Sequence, residues 1–193
     1  MARTETIRKA LGYTAPDFEL RDTISGAPRT LSDIRGSKGT VVMFICNHCP
    51  FVVHVIHELV AIAKEPRYAE IGFVAISSND ITSHPQDGPE QMRLFAIENG
   101  FPFPYLFDAT QEVAKAYTAA CTPDLSVFDS TLKCVYRGQL DGSRPGNGIP
   151  VTGVDLRKVL DALLTGSPIP AEQRPSVGCN IKWKGGIAPD HTL

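Results

Sequence analysis

Residues 40–65 read TVVMFICNHCPFVVHVIHELVAIAKE, and no other stretch restricts the possible folds as strongly. Thr40 to Ile45 is a continuous apolar, β-branched run, the pattern of a strand buried on both faces. From Pro50 the period changes. Phe51, Val52, Val55, Ile56, Leu59 and Ile62 recur at helical spacing, with His54, His57, Glu58, Lys64 and Glu65 on the other side. Pro50 suits the first helical position, where a missing N–H costs nothing. IGFVAIS (71–77) is a second buried strand, so the unit predicts a right-handed parallel crossover. Two thiols, Cys46 and Cys49, therefore sit where a buried strand becomes a helix.

The remaining pattern extends this unit. APDFEL reads as a short strand, residues 89–99 as an inserted helix closed by Asn99-Gly100, and TQEVAKAYTA as another helix. DLSVFD and LKCVYRGQ lie close enough to pair as a hairpin, and VDLRKVLDALLTG is a last helix with Gly166 as its C-cap. The order is βαβ, a connecting helix, then ββα after an N-terminal extension. This is the thioredoxin arrangement, an α/β fold with a mixed central sheet flanked by helices. With 193 residues the chain predicts one domain, 1–193, with a core over about 14–166. The Pro- and Gly-rich residues 167–193 read as a surface-wrapping tail.

A formal charge of −2 and a pI near 6.2 give no electrostatic reason to expect nucleic acid or an anionic membrane. No segment approaches the ~18 apolar residues of a membrane span, and the first residues lack a signal-peptide apolar run. The expectation is a cytoplasmic protein. Cys46, Cys49, Cys121, Cys134 and Cys179 make five cysteines, an odd number for a secreted disulfide scaffold. In a reducing compartment a close pair points to catalysis or metal binding.

Three chemistries use a Cys-x-x-Cys pair: thiol–disulfide exchange, peroxide reduction and metal capture. With Pro50 at the first helical position, Cys49 is at or next to the N-cap, where backbone N–H groups point at its sulfur. Lowering a thiol from ~8.5 to ~6.5 requires ~2.7 kcal/mol. A helix terminus supplies at best ~2 kcal/mol, so hydrogen bonds or a cation must add the remainder. His48, directly before Cys49, is a local candidate for that role. Helix geometry favours Cys49 as nucleophile and Cys46 as its resolving partner.

Cys121-Thr122-Pro123 precedes the strand DLSVFD. In a thioredoxin-like arrangement that proline is cis and faces the redox pair, Thr122 presents its backbone to a substrate chain, and Cys121 lies nearby or simply fills core. Cys134, inside a strand, reads as core. Cys179, after a glycine in the tail, becomes a further resolving thiol if the tail folds back. His54 and His57 have the wrong spacing to complete a zinc site with the two thiols and read as a solvated helix face. Copper(I) on the two thiolates alone is the remaining metal reading.

APDFEL, VVMFICNHCPFV, ISSND, FPYLFDATQEVAKAY, CTPD, YRGQLDGSRPGN and GCNIKWK together resemble the thioredoxin-like and peroxiredoxin-like proteins of the alkyl hydroperoxide reductase/thiol-specific antioxidant superfamily, over residues 14–184. The resemblance implies a thioredoxin fold and a redox role through Cys46 and Cys49, with Cys49 at the peroxidatic position. Two departures weaken a peroxidase reading. Cys46 replaces the usual threonine, and Pro123 stands where peroxiredoxins carry an activating arginine, leaving another arginine, such as Arg144, to reach the site. The pair also resembles the Cys-Gly-His-Cys of protein disulfide isomerases. The sequence therefore predicts a thiol–disulfide oxidoreductase needing no cofactor, acting on protein or small-molecule disulfides and restored by an external dithiol. A thiol peroxidase is the alternative, and a copper(I) carrier the less favoured one.

Overall fold

The computed structural model describes residues 3–186 and 188. Its strands are β1 (Arg3–Glu5), β2 (Glu19–Asp22), β3 (Pro28–Thr30), β4 (Gly39–Phe44), β5 (Ile71–Ser77), β6 (Tyr105–Phe107), β7 (Cys121–Thr122), β8 (Asp124–Asp129), β9 (Cys134–Gly138) and β10 (Val177–Asn180). Its α-helices are α1 (Leu31–Ile34), α2 (Pro50–Lys64), α3 (Pro89–Glu98), α4 (Glu112–Ala116) and α5 (Val154–Thr165). Seven strands form one mixed sheet in the order β3-β2-β6-β5-β4-β8-β9. β4, β5 and β6 run parallel, and β8 returns antiparallel against β4. These are the strand directions of a thioredoxin fold.

β4 is buried along its whole length because both sheet faces are covered. Its side chains alternate: Val41, Met43 and Ile45 enter one apolar cluster, Val42 and Phe44 the other. The first cluster takes the inner face of α2 and α5 through Val52, Val55, Ile56, Leu59, Leu156 and Leu160. It also contains Cys46, Cys49 and Cys179. The second cluster holds Tyr117, Phe128 and Cys134, so Cys134 is core, as its strand position implied.

The tail departs from expectation. Instead of only wrapping the surface, residues 177–180 form β10, inserted between β1 and β7 in a second, three-stranded sheet. Cys179, Ile181 and Trp183 are buried, so the core extends well past residue 166. The outer face of α2 also differs, because His54 Nε2 meets Ser143 Oγ at 2.7 Å and Glu58 pairs with Arg157 at 2.6 Å. Of the polar residues on this face, His57 and Lys64 are exposed.

Candidate active site

Cys49 is the N-cap residue of α2 and Pro50 its first helical residue. Ile45 extends the register of β4 by donating its N–H to Ile76 O, and the chain then turns through Cys46–Cys49 into the helix. Both sulfurs end in the protein interior, with Cys49 0% and Cys46 1% exposed. No disulfide joins any of the five cysteines.

Three partners surround the Cys49 sulfur. Cys46 hydrogen-bonds to it, Cys179 Sγ lies 2.8 Å away, and as a thiol Cys49 donates to Thr122 O at 3.1 Å. The Cys46 sulfur also meets Thr122 Oγ1 at 3.4 Å. The Thr122–Pro123 peptide is cis, as the fold predicts, and brings Thr122 against both thiols of the pair.

These contacts polarise the set. The hydrogen bond from Cys46 holds the Cys49 thiol down, opposed by burial and assisted by Cys179, Thr122 and the Val52 amide, so that it falls from 9.0 to about 5. That displacement corresponds to roughly 5 kcal/mol. A helix terminus supplies at most ~2 kcal/mol, so the thiol and hydroxyl hydrogen bonds are the larger source. Cys46 is driven the other way by its bond to Cys49, then by burial and by the charge of Asp87. Burial and the Cys49 thiolate push Cys179 up to about 12. One thiolate flanked by two protonated thiols is the resulting state.

The expected role of His48 needs correction. Its Nδ1 lies 2.7 Å from Asp87 Oδ2, and the causes that lower Cys49 are Cys46, Cys179, Thr122 and the Val52 amide, not this ring. Asp87 is fully buried. It accepts the Asn47 N–H at 2.9 Å and the Asn79 side-chain amide at 2.8 Å. Asn47 is held further by Tyr105 Oη at 3.0 Å and Gln86 O at 2.8 Å. The two residues between the cysteines are thus pinned to the loop before α3. Sequence reading missed Asp87, which looked like a turn residue in the polar run SNDITSHPQDGPE.

Cys121 is buried in β7, but its sulfur contacts Thr6 Oγ1 at 3.9 Å and Pro123 O at 3.6 Å. Arg144 donates to Asp141 O, Ser143 O and Gln139 Oε1, which occupies its guanidinium away from the pair. Cys46, His48 and Asp87 bring potential ligand atoms within 4.8 Å of one another. Cys46 Sγ already meets Thr122 Oγ1, and Asp87 already accepts from the Asn47 N–H and the Asn79 side-chain amide, so two of the three groups are engaged in hydrogen bonds. A cavity of about 380 Å³ beside Arg29, Tyr68 and Phe103 is lined by none of these groups.

Residues 11–137 match the AhpC/TSA family. The chain is 32% identical over 129 residues to the thiol-disulfide oxidoreductase ResA of Geobacillus kaustophilus, covering 65% of this chain and 67% of that protein. Among solved structures it is similar to an uncharacterized conserved protein from Geobacillus kaustophilus, at 58% identity and a TM-score of 0.93, covering 95% of this chain and 97% of the other. A hypothetical protein from Sinorhizobium meliloti 1021 is 44% identical with a TM-score of 0.92, covering 95% and 100% of the two chains. The strand–thiol–helix junction and the matched span agree: this chain belongs to the AhpC/TSA family.

Proposed function

We propose that Cys49 and Cys46 are the working pair of this enzyme, with Cys49 as nucleophile. The protein is a thiol–disulfide oxidoreductase, and its curated relatives carry that name. The observation that supports the assignment of roles is the opposed ionisation of the two thiols, with Cys49 lowered to about 5 and Cys46 raised.

A thiolate exchanges with disulfides and a thiol does not, so Cys49 attacks the substrate. One S–S bond breaks, half the substrate leaves as thiol, and a mixed disulfide remains on Cys49. Cys46 then attacks the Cys49 sulfur, the second half leaves with a proton, and Cys46–Cys49 is oxidised. The cis Thr122–Pro123 peptide sets Thr122 against both thiols of the pair while β10 occupies its backbone edge, and His48 acts through Asp87, whose charge keeps Cys46 protonated until needed. An external dithiol resets the disulfide, in keeping with a reducing compartment such as the cytoplasm.

Cys49→Ser should abolish insulin reduction while leaving the circular dichroism spectrum unchanged. Full activity of that variant would sink the assignment. A peroxidase reading draws support from the low value of Cys49 and from the AhpC/TSA family match, but Arg144 donates to Asp141 O, Ser143 O and Gln139 Oε1, and Pro123 occupies the arginine position.

A further inference from the structure

We propose that Cys179 is a third reacting thiol, which resolves mixed disulfides on Cys49 to give a Cys49–Cys179 disulfide that Cys46 then displaces. The inference rests on Cys49 being the nucleophile. Four observations carry it.

The Cys179 sulfur stands 2.8 Å from the Cys49 sulfur, closer than Cys49 Sγ is to Thr122 O at 3.1 Å or Cys46 Sγ to Thr122 Oγ1 at 3.4 Å. This contact joins residues 130 apart in the chain, so the fold has to be built to make it. β10 supplies that construction. Cys179 is paired with Thr122 on one side and with Arg3 on the other, and Asn180 is paired with Cys121. The chain's own tail thus occupies the backbone edge of Thr122 that a substrate strand would use.

Gly178 makes the seat possible. A Cβ there would lie 1.9 Å from Thr122 O and 2.6 Å from Thr122 C, both backbone atoms that cannot rotate away. Glycine is required for this approach. Beyond β10, Lys182 is tied to the loop that holds Asp87: its N–H donates to Asn79 Oδ1 at 2.9 Å, and Asp80 N–H donates to Lys182 O at 2.8 Å. Cys179 is therefore presented by a strand fixed at both ends.

The chemistry balances without any further oxidant. In the mixed disulfide, the Cys179 sulfur loses its proton, forms a bond to the Cys49 sulfur, and the bond to the substrate half breaks. That half leaves as a thiolate and takes up the proton. Two electrons have passed from Cys49 and Cys179 to the substrate disulfide. Cys46 next attacks the Cys49 sulfur, its proton passes to the departing Cys179 sulfur, and the disulfide moves to Cys46–Cys49. The negative charge on Cys49, one of the causes that keep Cys179 protonated, is absent once Cys49 is in a mixed disulfide.

The test uses the full chain and oxidised glutathione. Reduced Cys46→Ser, and the double variant Cys46→Ser with Cys179→Ser, are treated, alkylated and mapped by peptide mass. The expected result is a Cys49–Cys179 crosslink and the loss of two alkylatable thiols in the first protein. The double variant should instead retain glutathione on Cys49 and lose one thiol. Retention of glutathione on Cys49 in both proteins, with Cys179 alkylated in the first, overturns the role of Cys179 alone. Failure of Cys49 to take glutathione in either protein overturns the nucleophile assignment and the proposal with it. Wild type quenched early guards against misfolding of the variants. A Cys49–Cys179 crosslink that rises and then gives way to Cys46–Cys49 is expected, and a Cys46–Cys49 crosslink that forms without it counts against the proposal.

Discussion

Cys49 has a thiol on each of two flanks, and the two are built differently. Cys46 belongs to the turn itself, four residues held through Asn47, which donates its N–H to Asp87 and accepts from Tyr105 Oη, while Asn79 holds Asp87 in place. Cys179 comes from a four-residue strand contributed by the far end of the chain, held by pairing to β1 and β7. One flank is local and electrostatic, the other distant and dependent on backbone fit. The difference teaches that the two flanks weigh unequally on ionisation, with Cys46 the leading cause of the lowered Cys49 thiol and Cys179 a lesser one. Cys46 contributes most to making Cys49 a thiolate, while the tail determines what stands against that thiolate.

Removing the local flank should have the largest effect. In Cys46→Ala the leading stabilisation of the Cys49 thiolate disappears while burial still opposes charge, so the midpoint of thiolate absorbance at 240 nm should rise well above the wild-type value of about 5. Turnover should fall by orders of magnitude, since the attack of Cys46 that yields the Cys46–Cys49 disulfide is lost as well. The same shift has a stability consequence. A group whose folded value is depressed stabilises fully above its unfolded value, ~8.5 for a thiol, and that contribution is lost as pH falls toward the folded value. Wild type should therefore lose more melting temperature between pH 8.5 and 5 than Cys46→Ala does, once other titrations are matched between the proteins. An unchanged midpoint at 240 nm would show that Cys46 does not hold the thiolate.

Disturbing the distant flank should cost less chemistry and more order. Gly178→Ala places a methyl 1.9 Å from Thr122 O, so β10 must shift off its seat. Overpacking of this kind costs about 1–3 kcal/mol. The loss should appear as faster iodoacetamide labelling of Cys49, which wild type buries completely, together with earlier cleavage within residues 167–186 by added protease. Labelling and cleavage as slow as in wild type would mean that the strand is not what covers the sulfur.

The same contrast explains what could be read from sequence. β4, β5 and the start of α2 follow from apolar runs, a change of period and Pro50, all local signals, and they place Cys46 and Cys49 correctly. The hairpin of β8 and β9 and the cis Thr122–Pro123 bond follow from element order. β10 could not be read in this way. Four residues in a Pro- and Gly-rich tail have no period to detect, and their pairing partners are more than 50 residues away in the chain. The available signal was the Gly178-Cys179 dipeptide, since a glycine beside a cysteine marks a close backbone approach as readily as a turn. Asp87 was hidden for another reason: a buried carboxylate in a polar loop looks the same in sequence as a solvated one.

The smallest effect should come from Cys121, and that is what makes it informative. It lies one residue from Thr122, buried in the same strand that β10 pairs with, so proximity alone would enlist it in the relay. Its sulfur bonds to Thr6 Oγ1 and Pro123 O, however, and burial raises its pKa well above the usual thiol value. A serine hydroxyl can use the same two partners, so Cys121→Ser should cost about 1 kcal/mol of stability through imperfect hydrogen bonding. The 240 nm midpoint of Cys49 and the rate of disulfide exchange should stay within twofold of wild type, about 0.4 kcal/mol in barrier terms. A larger loss of rate, with the midpoint unmoved, would show that thiolate formation is not the step Cys121 affects. It would break the two-flank picture by adding a third sulfur to the path of exchange.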